Sequence, residues 1–123
     1  MPTYSLNHIH HESKDVPAAA EWYKKLFDAA LDEPFERDGA TWIRAHVGDV
    51  TVTITDRDFS DMELSRYQGY DHLALSTDDF DGSLARIEEV GASIWAGPVD
   101  AGGMRLVFVN GPDNVKIELL EKK

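Results

Sequence analysis

Asn7-His8-Ile9-His10-His11-Glu12-Ser13-Lys14-Asp15 and Asp71-His72-Leu73-Ala74-Leu75-Ser76-Thr77-Asp78-Asp79 are two passes of one pattern. Each starts with a polar residue and a histidine, continues as an extended run, and reaches an aspartate just ahead of a helical pattern. The His pair and the Asp pair share an offset of 64. Farther along, 49–54 (DVTVTI) is echoed by 114–119 (NVKIEL) at an offset of 65, so the register holds through each half with one residue of slippage. A repeat of this kind predicts two βαβββ modules, about 5–56 and 70–121, within a single domain spanning 1–123.

The elements follow from periodicity. In the first module Asp15 can cap a helix, Pro17 sits in its first turn, and Ala20, Tyr23, Phe27 and Ala30 trace one face beside Leu26. That helix is expected over 16–29. In the second, Asp79 or Asp81 can cap, Leu84, Ile87 and Val90 form the apolar stripe, and Gly91 fits a left-handed stop, which places a helix over 81–90. Period-2 alternation and β-branched content predict strands at 5–12, 41–47, 50–55, 71–77, 93–96, 104–109 and 114–120, with turns at Gly48-Asp49 and Gly111-Pro112-Asp113-Asn114. Residues 57–69 read as the linker between modules. The fold class is α+β.

Composition narrows the function. With 42% apolar and 10% aromatic residues in 123, the chain has enough material for one core. No cysteine is present, which excludes disulfides, thiolate metal sites and Cys nucleophiles, so any metal must use His, carboxylate, carbonyl or water. A net charge of −11, from 12 Lys+Arg against 23 Asp+Glu, argues against nucleic acid and against anionic membrane as partners. No apolar run approaches the ~20 residues of a membrane span, and no export signal opens the chain, so a cytoplasmic location is expected.

Strand alternation assigns faces. If Val115, Ile117 and Leu119 pack on a helix, Lys116 and Glu118 point to the other side of the sheet. By the same rule Val50, Val52 and Ile54 face the helix while Thr51, Thr53 and Thr55 face away, and Leu73 and Leu75 leave His72, Ala74 and Ser76 opposite. Repeat equivalence adds His8 and His10. Two strand-borne histidines and one strand-borne glutamate then occupy the concave faces of duplicated sheets. Two neutral imidazoles and a carboxylate are the donor set that holds a divalent first-row metal and leaves positions for water, substrate or oxygen.

These motifs together carry a resemblance. Asn7-His8-Ile9 through Asp15, Glu21-Trp22-Tyr23-Lys24-Lys25-Leu26-Phe27, Asp71-His72-Leu73-Ala74 through Asp79, and Gly111-Pro112-Asp113-Asn114-Val115-Lys116-Ile117-Glu118-Leu119 resemble the vicinal-oxygen-chelate superfamily of glyoxalase, bleomycin-resistance and extradiol-dioxygenase proteins, over about 5–120. The resemblance implies that the paired modules form a cupped, mixed-sheet cavity, and it implies a homodimer. Carried over by position, His8 and His72 are the implied imidazole ligands and Glu118 the carboxylate. The fourth position falls on Thr53, where glyoxalase and epimerase branches carry Glu, Gln or His. A Thr hydroxyl is a weak donor to a divalent ion, so a three-ligand site remains, as in the dioxygenase and fosfomycin-modifying branches.

Other polar residues leave alternatives open. His10 shares the face of His8 and is the candidate catalytic base, with a hydrogen-bonding role or an exposed strand-end position as the alternatives. His11 points the other way. Trp42, Arg44 and His46 alternate on one face of a strand; they either line the cavity, Arg44 gripping an anionic substrate group, or face solvent at a sheet edge. Arg105 and Lys116 share this ambiguity, and Thr53 and Arg105 join Arg44 and His46 as candidate substrate contacts. Gly102-Gly103 reads as a rim near the cavity mouth. No dinucleotide, P-loop or serine-hydrolase motif is present. The expectation is therefore an enzyme that binds one divalent ion, with Fe(II) favoured over Mn, Ni, Co or Zn, and a small substrate that chelates it through adjacent oxygens. Oxygenase-type chemistry is placed narrowly ahead of glyoxalase, lyase, isomerase or thiol-transfer chemistry. The alternative from another class is a metal-free protein that sequesters small drugs.

Overall fold

The computed structural model describes residues 3, 5–57 and 70–122, and the chain divides into two compact units, Met1–Met62 and Glu63–Lys123. Beyond residue 57, the expected linker lies outside the described residues. No helix among the described residues is long and apolar enough to cross a membrane.

The first unit runs β1 (Ile9–Glu12), α1 (Val16–Phe27), β2 (Ala30–Leu31), β3 (Phe35–Arg37), β4 (Ala40–Val47) and β5 (Val50–Thr55). Its sheet has the order β1-β5-β4-β2, with β3 also on β4; β1 and β5 are parallel and the remaining pairs antiparallel. The second unit runs β6 (Leu73–Thr77), α2 (Phe80–Val90), β7 (Ser93–Ala101), β8 (Met104–Asn110) and β9 (Lys116–Glu121) in the order β6-β9-β8-β7, again with its first and last strands parallel. Both are mixed sheets carrying one helix, the α+β arrangement of the repeat.

The two helices start alike. The Asp15 carboxylate accepts from the Ala18 amide at 3.0 Å and Asp79 from the Gly82 amide at 2.9 Å, each satisfying an amide that the first turn leaves without a partner. Asp79 is thus the cap, and Asp81 lies inside the first turn. Helix α1 ends two residues earlier than the pattern predicts, because Asp28 adopts the left-handed conformation at φ 56° and stops the helix. Gly91 ends α2 at φ 71°.

Alternation places the cores. Ile43, Ala45, Val52 and Ile54 are buried along with Val16, Ala19, Ala20, Tyr23 and Leu26 of α1; Val107, Val109, Ile117 and Leu119 are buried along with Phe80 and Ile87 of α2. Each fully buried isoleucine contributes about 2–3 kcal/mol of transfer free energy. His11 faces this side, its Nδ1 3.0 Å from the Tyr23 hydroxyl.

Several boundaries differ from expectation. Strand β1 begins at Ile9 and β6 at Leu73, so His8 and His72 precede their strands and do not lie in them. The parallel pairing stops at Ile9↔Val52 and Leu73↔Ile117, one residue short of each histidine. Strands β2 and β3 were not predicted, since two and three residues are too short to show period 2. Asp38-Gly39, at φ 53° and 75°, joins β3 to β4 as a tight hairpin turn, a dipeptide signal the sequence does carry. Strand β7 extends to Ala101, well past 96, crossing Gly97-Pro98 through two register shifts. Proline is tolerated on an edge strand at a bulge. Gly97 is required there: its φ is 85°, and a Cβ would lie 3.1 Å from the Leu106 carbonyl oxygen. Gly102-Gly103 forms the hairpin turn between β7 and β8.

Candidate functional site

The face of the first sheet opposite α1 carries a cavity of about 500 Å³, a volume suited to a small molecule. Register builds its wall in rows. Thr53 is the Cα partner of both His10 and Arg44, so imidazole, hydroxyl and guanidinium stand abreast on β1, β5 and β4. One row along, Thr51 pairs with His46, and one row the other way Thr55 pairs with Trp42. Asn7 and His8 border the cavity ahead of β1, and Arg57 borders it just after β5. Trp42, Arg44 and His46 therefore line the cavity.

Ring stacking and ion pairing order this wall. Phe35 stacks on Trp42 with centroids 5.7 Å apart. The Arg44 guanidinium lies 5.0 Å above the Phe35 ring, and those of Arg37 and Arg57 lie within 6 Å of the Trp42 ring. His46 is held at both nitrogens, by Thr51 Oγ1 at 3.2 Å and Asp32 Oδ2 at 3.0 Å. His10 Nε2 lies 2.6 Å from Glu12 Oε1. The two meet as a close contact without hydrogen-bond geometry, and the charge of the carboxylate favours the proton on Nε2 and the lone pair on Nδ1. The amide oxygen of Asn7 accepts a hydrogen bond from His8 Nδ1 at 2.7 Å, which puts the lone pair of the neutral His8 ring on Nε2.

In the second unit His72 is held by two carboxylates. Its Nδ1 lies 2.9 Å from Asp71 Oδ2 and its Nε2 lies 3.0 Å from Glu118 Oε1, while Phe108 packs against the ring edge-on at 4.9 Å. Two donors bound at about 2.1 Å and at a right angle to one another lie about 3 Å apart. The His72–Glu118 separation is thus the spacing of adjacent metal ligands, and a cation arriving at Nε2 would displace one proton. Asp71 supplies the outer carboxylate that commonly orients a ligating histidine. Among the described residues no three His, Asp or Glu side chains are grouped closely enough to hold a metal ion. His72 and Glu118 stand in one unit and His8, with its Nε2 lone pair, in the other. The donor chemistry of the three fits a divalent ion.

Arg105 corrects an expectation. It has the parity of Val107 and Val109, so it faces the α2 side, away from Glu118. Its guanidinium bonds Glu121 Oε2 at 2.7 Å and Asp81 Oδ1 at 2.8 Å, and lies 4.8 Å over Phe80. Those carboxylates, Glu121 first, raise its pKa further, and it is not placed to hold substrate. Lys116 does share the Glu118 face, where its Nζ bonds Asn114 Oδ1 at 2.9 Å beside Trp95. The hydrogen bond from Arg105 holds the Asp81 carboxyl below its ordinary value of 3.8. A depressed folded-state pKa contributes stability that is fully present above the unfolded value and lost as pH falls through the folded one. In urea titrations between about pH 5 and pH 2, the stability gap between wild type and Asp81→Asn should shrink as pH falls. A gap that is constant across that window would show that the pair contributes nothing to folding.

The sequence reading missed four residues of interest. Asn7 and Asp71 were quoted within the repeat, and their place immediately before each histidine was the signal. Glu12 shares the parity of His10 on β1 and was legible on that ground. Arg57 had no signal, since it follows the last residues of β5.

Comparison with known proteins gives this geometry a context. The family described as Glyoxalase/Bleomycin resistance protein/Dioxygenase superfamily matches residues 5–119. A lactoylglutathione lyase of Salmonella typhimurium is 43% identical over 56 residues, covering 44% of this chain and 42% of that protein. The chain thus matches less than half the length of this curated relative. Among solved structures, a glyoxylase/bleomycin resistance protein/dioxygenase domain from Frankia sp. EAN1pec has a TM-score of 0.85 at 17% identity, covering 99% of this chain and 94% of its own. The fosfomycin resistance protein FosX from Listeria monocytogenes, solved with Mn(II) and sulfate, has a TM-score of 0.75 at 16% identity, with 99% and 95% coverage. At such identities the structural likeness speaks for the fold, and the family match covers nearly the whole sequence. The chain belongs to the glyoxalase/bleomycin resistance protein/dioxygenase superfamily, the vicinal-oxygen-chelate proteins.

Proposed function

We propose that this protein is a divalent-metal enzyme of lyase or isomerase type, with His8, His72 and Glu118 as the metal ligands and a small substrate presenting adjacent oxygens. The observation that carries the reading is the His72 Nε2 to Glu118 Oε1 distance of 3.0 Å, with Nδ1 tied to Asp71. When bound, the ion would supply Lewis-acid polarisation of a carbonyl or hydroxyl oxygen. The remaining work belongs to the chain. Asn7 and Asp71 orient the two imidazoles, Thr53 and Arg44 bind substrate, and His46, braced by Asp32, bounds the cavity. His10 takes the proton from the hydroxyl-bearing carbon next to the carbonyl and returns it to the former carbonyl carbon while the hydroxyl proton passes to the other oxygen, and the Glu12 carboxylate 2.6 Å from Nε2 balances the charge the ring acquires.

The curated relative, named for lactoylglutathione, supports lyase chemistry and offers a first substrate, since a lactoyl group carries a hydroxyl next to a carbonyl. The iron-dependent oxygenase reading is the second one, and Thr53 favours it: the position is 4% exposed in the cavity wall and bears a hydroxyl where a fourth strong ligand would stand. One experiment separates them. Protein purified metal-free and reloaded should take up one Ni, Co, Mn or Zn ion per chain and should form or cleave lactoylglutathione equally well under argon and in air. Turnover that requires Fe(II) and consumes oxygen would move the assignment to an oxygenase. Failure to take up any divalent ion would remove both enzyme readings and leave small-molecule sequestration.

A further inference from the structure

The first-unit cavity lies in a chain of net charge −11, yet the residues bordering it include Arg44, Arg57 and three histidines and no acid. Two carboxylates stand near this face, and each is engaged by an imidazole: Glu12 by His10 and Asp32 by His46. Arg44 is different. Among the described residues its guanidinium makes no hydrogen bond or ion pair and stacks on the Phe35 ring, 5.0 Å from the guanidinium carbon. Stacking engages the flat face of a guanidinium and leaves the N–H groups along its edge to donate. A half-buried cation with unspent donors is costly unless something anionic completes it. The Thr53 hydroxyl stands beside it, on the residue that is its direct Cα partner.

We infer that Arg44 and Thr53 form an oxyanion subsite, which receives the carboxylate, phosphonate or phosphate end of a small substrate. The inference rests on reading this cavity as the substrate site and adds the class of group that enters it. Arg44 grips two oxygens side by side and Thr53 donates to one of them.

The test titrates isotope-labelled, EDTA-treated full-length protein with inorganic phosphate in one arm and acetate in the other, following the Arg44 Nε–H and Thr53 amide resonances. Saturable shifts at both positions are expected, and the arm that binds more tightly identifies a tetrahedral or a planar group. Arg44→Gln should weaken binding about tenfold or more, while Arg44→Lys, which keeps the charge but loses the fork, falls between. Arg105→Gln should bind as wild type does, because Asp81 and Glu121 already occupy that guanidinium. Absence of saturable shifts at these residues, binding unchanged in Arg44→Gln, or an equal loss in Arg105→Gln would overturn the subsite. Shifts that appear only after a divalent ion is added would also overturn it, placing the anion on the metal and leaving the metal reading intact. Arg44-dependent binding by a protein that takes up no metal would uphold the subsite and remove the metal reading.

Discussion

Glu118→Gln should weaken divalent-ion affinity by more than about a hundredfold, because losing an outer orienting partner of a metal ligand already costs roughly ten- to a hundredfold and Glu118 is proposed as a ligand itself. The amide keeps the size of the side chain, so the fold is spared: the Glu118 side chain is 13% exposed and points away from the Ile117 and Leu119 core. What it removes is the anionic oxygen 3.0 Å from His72 Nε2. Asp71→Ala should give the smaller loss, about ten- to a hundredfold, by freeing the His72 ring to turn. Glu121→Gln, three residues along the same strand but bonded to Arg105 on the helix side, should leave the ion in place. Competition against a metal-sensitive dye reads all three affinities, and melting in EDTA reports any damage to the fold. If Glu118→Gln holds its ion as firmly as wild type does, the carboxylate is not a ligand.

Why so much of this was legible from one sequence, and why the remainder was not, comes down to the range of the interactions concerned. The helices, their caps and the long strands are written in local periodicity. Asp15 and Asp79 stand at the same place in each repeat and make the same bond to the third residue of their helices. Face assignment succeeded where apolar residues alternated without interruption, as in β5 and β9. Arg105 differs: it shares the parity of Val107 and Val109, and its charge is met on the helix side by Glu121 and Asp81, which are distant in sequence. The bounds of β1 and β6 escaped because they are set by where pairing with a distant parallel strand stops, information that the strand does not itself contain. Strand β7 was cut short at Gly97-Pro98, a pair that usually ends a strand and here marks a bulge on an edge. The partners of the histidines, Asn7, Asp71 and Glu12, are near neighbours in sequence. They lie outside the donor set, and a donor's residue type does not by itself reveal what holds it.

His10→Gln should lower kcat about 10²- to 10⁴-fold, the usual contribution of a positioned acid or base, with little change in metal affinity. The reason is the local geometry of β1. His10 and Glu12 are two residues apart and therefore on one face, and the carboxylate oxygen 2.6 Å from Nε2 favours the proton on that nitrogen by its charge. The lone pair at Nδ1 then belongs to a ring packed 5.9 Å from Trp42, in the wall that also holds Thr53 and Arg44. Glu12→Gln should cost less than His10→Gln, since it keeps the imidazole and removes only the negative charge that balances the ring when it takes a proton. The two substitutions should not be additive, because both act through one imidazole. A readout independent of turnover exists: long-range proton–nitrogen correlation should show His10 in wild type with Nε2 protonated and Nδ1 bare, and a mixture of tautomers in Glu12→Ala. A wild-type spectrum with the proton on Nδ1, or a His10→Gln enzyme of undiminished kcat, would exclude His10 as the base.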